Sequence, residues 1–115
     1  MKRKLLFVCT ANQERSPTAE ALYNDHPAFE ARSCGTHVMA AVPASKELIE
    51  WADLILCMEK HHAETILTTF PSAKNKNLYI LGITDVYPRY DERLILLIRE
   101  RMKQVLGEGP DAVQE

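Results

Sequence analysis

The sequence LLFVCTANQERSP, residues 5–17, decides the fold, because a buried strand there leads directly into a loop and a helix. Residues 5–9 are apolar without interruption, which is typical of a strand covered on both faces. Ser16 followed by Pro17 predicts a helix N-cap and a proline at the first helical position. The loop therefore brings Cys9, Arg15 and several backbone N–H groups to a helix N-terminus, where an anion is stabilised.

Apolar runs and helical periods alternate along the rest of the chain. Further strands are predicted over residues 29–34, 54–58 and 78–83, and helices over residues 17–26, 45–52, 59–70 and 91–107, followed by a frayed tail over residues 109–115. This alternation predicts an α/β fold with a four-stranded parallel sheet and helices on both faces. Ligands bind such sheets at the carboxyl ends of the strands, where the loop after residue 9 and the segment 83–85 would meet.

Composition limits the classes of function. The chain has 115 residues, 46% of them hydrophobic, and a net charge of -2, so a single domain spanning residues 1–115 is expected, with neither nucleic acid nor a membrane as partner. The apolar run after the basic start is too short for a signal peptide, and no stretch approaches a membrane span. Three cysteines without paired spacing favour free thiols in a reducing compartment, the cytoplasm. Neither a cofactor nor a metal is expected, and His61 and His62 are interpreted as a solvated helix turn.

The residue types in the loop suit the chemistry of phosphate. A helix N-terminus and a neighbouring guanidinium favour the anionic form of a thiol, so Cys9 is expected to act as a nucleophile. Arg15 can bind two phosphate oxygens in parallel. Ser16 is expected to donate to the thiolate, to cap the helix, or to do both. Asn12 tolerates the left-handed backbone that a tight loop requires.

A general acid is expected on the side of the phosphate opposite the nucleophile. Asp85 follows a predicted strand and is the preferred candidate, while Asp91 occupies a position where a helix cap is needed. Tyr87 and Tyr90 flank this acid and are expected either to form a wall for an aromatic substrate or to be half-buried surface aromatics.

Four segments resemble the low-molecular-weight protein tyrosine phosphatases. Residues 8–17 (VCTANQERSP) resemble the phosphate loop of that family, and residues 32–36, 52–59 and 83–87 resemble three further segments. The chain departs from the family in having Ala11 in place of a glycine, Glu14 in place of a second cysteine and Val86 in place of a proline. It is also short between residues 35 and 51.

The resemblance implies a doubly wound, flavodoxin-like sheet of strand order 2-1-3-4. It implies a phosphatase that hydrolyses phosphotyrosine or a related aryl phosphate through a phosphocysteine on Cys9, with Arg15 and Asp85 as the other catalytic residues. Its substrate would be a phosphorylated protein or a small aryl phosphate, and inorganic phosphate and other oxyanions would also bind. The residues implied to bind phosphate or support the loop are Thr10, Ala11, Asn12, Gln13, Glu14, Ser16 and Ser33, the last by bracing Asn12.

Three other functions remain open at this point. A phosphoryl-carrier module also places a phosphorylated cysteine after a first strand, but it needs neither Arg15 nor an acid loop. A phosphate-binding module without turnover is compatible with the departures at residues 11 and 86. An arsenate reductase requires resolving thiols within reach, and Cys57 is interpreted as a core residue.

Overall fold

The computed structural model describes residues 1–107, so the expected tail over residues 109–115 lies outside the described residues. The strands are β1 (Arg3–Cys9), β2 (Phe29–Gly35), β3 (Leu54–Cys57) and β4 (Asn77–Ile80). The α-helices are α1 (Arg15–Asn24), α2 (Lys46–Trp51), α3 (Lys60–Thr69) and α4 (Glu92–Leu106), and a 3-10 helix spans Pro71–Asn75.

The four strands form one parallel sheet of order β2-β1-β3-β4, which confirms the predicted fold and strand order. β1 is hydrogen-bonded to β2 on one side and to β3 on the other. In this register Val8 lies beside Cys34 and Cys57, and Cys9 lies beside Gly35. The chain reverses its direction of winding at β1, so the loop after Cys9 lies at the switch point where ligands bind in sheets of this kind.

The sheet separates two apolar cores, because alternate residues of a strand project to opposite faces. Leu5, Phe7 and Cys9 project towards α1 and α4. Leu6 and Val8 project towards α2 and α3. The continuous apolar run of residues 5–9 is explained by this arrangement, since all five residues are buried.

The start of α1 differs from the prediction. The helix begins at Arg15, two residues earlier than expected, and Glu14 occupies the N-cap position without a capping side-chain hydrogen bond. The prediction that Ser16 caps this helix is therefore wrong, because its hydroxyl contacts Cys9 and Asn12 instead. The Ser45 cap of α2 is confirmed, since its hydroxyl accepts a hydrogen bond from the backbone N–H of Leu48.

Strand β4 ends at Ile80, three residues earlier than predicted. Gly82 has a φ angle of 70°, which turns the chain out of the extended conformation. The backbone N–H groups of Leu81 and Ile83 still donate to Cys57 and Met58. Residues 81–83 therefore follow the edge of β3 and bring Asp85 towards the carboxyl end of the sheet. No helix within residues 1–107 has both the length and the apolar character needed to cross a membrane.

Candidate active site

The loop between β1 and α1 is organised around the side chain of Asn12. Asn12 has a φ angle of 56°, the left-handed conformation expected there, and is buried. Its amide Nδ2 donates to the hydroxyls of Ser16 and Ser33 over 2.8 and 2.9 Å. Its Oδ1 accepts a hydrogen bond of 3.1 Å from the backbone N–H of Val42. Asn12 thus joins α1, β2 and the segment after β2, and Ser33 lies beside it as the family resemblance implied.

Ser16 lies directly against the Cys9 thiol. The Ser16 Oγ is 2.9 Å from the Cys9 Sγ and 3.4 Å from the backbone oxygen of Cys34. Because Asn12 donates to the Ser16 oxygen, the Ser16 proton is left to be donated. The Ser16 hydroxyl is therefore placed to donate to the Cys9 sulfur or, over the longer distance, to the Cys34 oxygen.

Arg15 is almost fully buried, with 2% of its surface exposed. Its Nη1 donates to the Glu59 carboxylate over 2.5 Å and to the backbone oxygen of Ile83 over 2.7 Å. The hydrogen bond from Arg15 lowers the pKa of Glu59, which therefore remains a carboxylate. Within residues 1–107 both short bonds of the guanidinium use Nη1, so Nη2 and Nε are left for an anion.

The short segment after β2 supports the loop from one side. The backbone N–H groups of Thr36, His37 and Ala41 donate to the oxygens of Cys9, Thr10 and Ala11, respectively. These bonds occupy the carbonyl oxygens of the first residues of the loop. The approach requires Gly35, because a Cβ there would lie 2.4 Å from the Thr10 oxygen.

The segment after β4 borders the loop on the other side. The Asp85 carboxylate is 59% exposed and lies 3.8 Å from Nε of Arg15. Arg89 donates from Nε to the backbone oxygen of Gln13 over 2.7 Å. The backbone N–H of Tyr90 donates to the Thr18 hydroxyl over 3.0 Å. These contacts hold the segment that carries the candidate acid against the start of α1.

The remaining predicted residues differ in their exposure. Tyr87 is half-buried against the core, whereas Tyr90 is exposed. Ala11, Gln13 and Glu14 are exposed on the loop. Within residues 1–107 neither the Gln13 nor the Glu14 side chain makes a hydrogen bond or an ion pair, so both are available to a ligand.

Asp91 is occupied in capping α4. Its carboxylate accepts from the backbone N–H of Arg93 over 2.8 Å and pairs with the guanidinium of the same residue over 2.9 Å. The hydrogen bonds from Arg93 lower the pKa of Asp91 to about 2. Because the Asp91 carboxylate is held at the helix cap by Arg93, whereas the Asp85 carboxylate is exposed beside Arg15, the geometry favours Asp85 as the acid.

Glu59 and His62 were missed as site residues by the sequence reasoning, and the expectation that His62 is solvated is wrong. His62 is fully buried, and its Nε2 lies 2.8 Å from the Thr10 hydroxyl. Its Nδ1 accepts a hydrogen bond of 3.0 Å from the backbone N–H of Glu59. The available signal was the spacing of Glu59 and His62, which is that of the N-cap and N3 positions of a capping box.

Glu59, His61 and His62 are the described residues that come closest to a metal site, with one ligand atom from each within 4.8 Å of the others. Glu59 is paired with Arg15, and both ring nitrogens of His62 are hydrogen-bonded. A metal would have to displace these bonds, so Glu59 and His62 are better explained as supports of the loop.

The thiols of Cys34 and Cys57 lie in a different environment from that of Cys9. Cys34 and Cys57 are buried on the face of the sheet opposite Cys9, and all three cysteines are free. Burial raises the pKa of both Cys34 and Cys57 to about 12. Neither thiol has the reactivity of a resolving residue, which counts against arsenate reduction.

Comparison with known proteins agrees with this geometry. No protein-family model matches the chain. A protein-arginine-phosphatase of Geobacillus stearothermophilus is 33% identical over 100 residues, covering 66% of this chain and 68% of that protein. A protein-arginine-phosphatase of Bacillus subtilis is 28% identical over 143 residues, covering 88% of this chain and 95% of that protein.

The structural comparison points to the same group of enzymes. The tyrosine phosphatase Wzb from Escherichia coli K30, solved in complex with phosphate, is 25% identical and superposes with a TM-score of 0.74. The match covers 93% of this chain and 98% of that structure. With these relatives, this strand order and this loop, the chain belongs to the low-molecular-weight protein tyrosine phosphatase family and is a phosphatase.

Proposed function

We propose that this phosphatase hydrolyses phosphotyrosine or a related aryl phosphate through a phosphocysteine on Cys9. The observation that carries the proposal is the 2.9 Å contact between the Cys9 thiol and the Ser16 hydroxyl, next to the buried Arg15. The Cys9 sulfur attacks phosphorus, and the bond from phosphorus to the aryl oxygen breaks. Water then hydrolyses the phosphocysteine and releases inorganic phosphate.

Arg15 and the loop provide the binding energy for the phosphate. Glu59 and the Ile83 carbonyl fix the guanidinium through Nη1, so the other N–H groups are presented to the anion without a loss of side-chain freedom on binding. Charge-assisted bonds of this kind stabilise the transferring phosphoryl group in the transition state. Thr10, Ala11, Asn12, Gln13 and Glu14 contribute the loop backbone around it.

Asp85 is proposed as the general acid that protonates the leaving oxygen. It is exposed at the mouth of the loop and lies near the guanidinium edge that faces the anion. Tyr87 and Tyr90 follow it on the same segment and would form the wall against which an aryl group packs. Because Asp85 is exposed, it can reach the leaving group of a substrate that enters from solvent, such as a phosphorylated protein side chain.

Phosphoarginine in proteins is the second candidate substrate, and the two relatives named protein-arginine-phosphatase support it. The exposed carboxylates of Asp85 and Glu14 at the loop would attract a cationic guanidinium. Tyrosine rings also bind guanidinium groups by cation–π contact, so the same wall serves either substrate.

The three free thiols support a reducing compartment, the cytoplasm, as the place of action.

The test is a comparison of three substrates with three forms of the protein. Para-nitrophenyl phosphate, a phosphotyrosine peptide and a phosphoarginine peptide of the same sequence are incubated with the unmodified chain, Cys9→Ser and Arg15→Lys. We expect turnover to disappear in Cys9→Ser while orthovanadate still binds, and to fall by about 10²-fold or more in Arg15→Lys. Full turnover in Cys9→Ser would overturn the proposal. A higher kcat/KM for the phosphoarginine peptide would assign the second substrate.

A further inference from the structure

His62 is a buried titratable side chain that the proposed chemistry leaves without a task. It lies in the first turn of α3 with none of its surface exposed. A buried imidazole is costly unless its nitrogens are hydrogen-bonded, and an apolar residue of similar size would fill the site at lower cost. The two partners of its ring therefore indicate what the residue does.

Those two partners fix the tautomer of the ring. The backbone N–H of Glu59 donates to Nδ1, so Nδ1 carries no proton. In a neutral imidazole the proton must then be on Nε2, which lies 2.8 Å from the Thr10 hydroxyl. Burial, with the nearby charges of His61 and Arg15, lowers the pKa of His62 to about 4, against the smaller opposing influence of Glu59. His62 is thus a neutral donor to Thr10.

Because Nε2 of His62 donates to the Thr10 oxygen, the Thr10 hydroxyl keeps its own proton available for donation. Thr10 follows Cys9 directly and is only partly buried, so a ligand at the loop can reach this residue. Its backbone oxygen is already bonded to His37. Within residues 1–107 this proton has no acceptor. A phosphate oxygen held by the loop would be one.

We propose that the Thr10 hydroxyl donates a hydrogen bond to a phosphate oxygen of the substrate and that His62 is the positioning residue that orients it. The inference rests on the proposed role of the Cys9 loop as the phosphate site. It adds a donor from a side chain to those of the backbone and Arg15. The start of α3 thus supports two groups of the proposed site, Arg15 through Glu59 and Thr10 through His62.

Thr10→Val tests the donor, because valine keeps the branched shape and removes the hydroxyl. We expect kcat/KM for para-nitrophenyl phosphate to fall by about 10- to 100-fold and the inhibition constant of inorganic phosphate to rise. Thr65→Val is the matched control, since Thr65 is an exposed threonine of α3, and it should leave both constants unchanged. Unchanged constants in Thr10→Val, in a protein whose Cys9→Ser variant is inactive, would overturn this inference alone. Activity in Cys9→Ser would instead overturn the proposed function.

A double-mutant cycle tests whether His62 acts through Thr10. His62→Phe should reduce kcat/KM in the unmodified chain but cause no further reduction in the Thr10→Val background. His62→Gln can place an amide N–H near the position of Nε2 and should recover part of the loss. The melting temperature of each variant is measured alongside. A reduction by His62→Phe that is equal in both backgrounds would show a merely structural role and overturn the assignment.

Discussion

At the scale of single residues, two aspartates near the loop differ in their hydrogen bonds. Asp85 is exposed near Arg15, whereas Asp91 is held by Arg93 at the start of α4. We expect Asp85→Asn to slow the hydrolysis of phenyl phosphate by about 10²-fold and that of an activated nitrophenyl ester much less. Only a poor leaving group needs the proton. Steady-state rates across a series of leaving groups measure the contrast.

Asp91→Asn is the control for this series. It removes part of the α4 cap and should lower the melting temperature without changing the dependence on the leaving group. A steeper dependence in Asp91→Asn than in Asp85→Asn would identify Asp91 as the acid instead.

The titration of His62 is expected to make the free energy of unfolding depend on pH. Its pKa is lowered to about 4 in the folded chain, mainly by burial, while an unfolded histidine titrates near about 6.5. Between these values the unfolded chain binds more protons, so its contribution to stability is complete above pH ~6.5 and is lost as the pH falls towards 4. We expect His62→Gln to flatten the pH dependence of the free energy of unfolding in this window, as measured by urea denaturation. An unchanged slope would show that His62 is not titrated differently in the two states.

At the scale of elements, the segment after β2 is attached closely to the loop at Gly35. A Cβ at this position would lie 2.4 Å from the Thr10 oxygen and 2.6 Å from the Ala40 Cβ. We expect Gly35→Ala to destabilise the fold by about 1–3 kcal/mol and to reduce phosphatase activity, because the loop carbonyl must move. Gly107→Ala is the control, since its φ angle of 89° also disfavours a side chain but, apart from its chain neighbours, no atom of residues 1–107 would lie within 4 Å of the added Cβ. Equal losses of activity in both variants would contradict this prediction, because they would show that the close approach of Gly35 to the loop has no particular effect on activity.

The alternation of side chains along the strands predicts the outcome of oxidation. Cys34 and Cys57 are on the opposite face of the sheet from Cys9, and Glu14 stands where the family has its second loop cysteine. We expect brief peroxide treatment to inactivate the enzyme without an intramolecular disulfide, with recovery in dithiothreitol only after short exposure. Peptide mapping by mass spectrometry is the measurement. A disulfide between Cys9 and either thiol, with full recovery after long exposure, would restore the arsenate-reductase interpretation.

At the scale of the whole molecule, the proposed anion site is formed by elements from distant parts of the chain. Arg15 of α1 contacts Glu59 before α3 and Ile83 after β4. An oxyanion that binds only the folded form should therefore stabilise the whole chain, by about 2.7 kcal/mol at a concentration of 100 Kd. We expect phosphate or vanadate to raise the melting temperature of the unmodified chain and of Cys9→Ser, and much less that of Arg15→Lys. No rise in Cys9→Ser would contradict an anion site formed by the loop and Arg15.

Most of the architecture was accessible from the sequence, because the apolar run of residues 5–9 and the helical periods are local signals. The family resemblance added the strand order, which no local pattern contains. Ser16 was misjudged as a cap because the 2.9 Å contact with Cys9 competes for its hydroxyl. His62 was misjudged because its hydrogen-bond partner Thr10 is 52 residues away in the chain. Contacts of this range are set by the packing of α3 against the sheet and leave no mark on local periodicity.

The central place of β1 in the sheet has a consequence for the order of folding. β1 is the first strand along the chain, yet its neighbours are β2 and β3, and residues 54–57 must be available before its second edge is paired. The Arg15 contact with Ile83 spans 68 residues and requires still more of the chain to be available. Contacts between distant residues carry the entropy cost of closing long loops and tend to slow folding. The strand that bears the proposed nucleophile is therefore synthesised early but completed late, and the surroundings of Cys9 are complete only when nearly the whole domain has assembled around it.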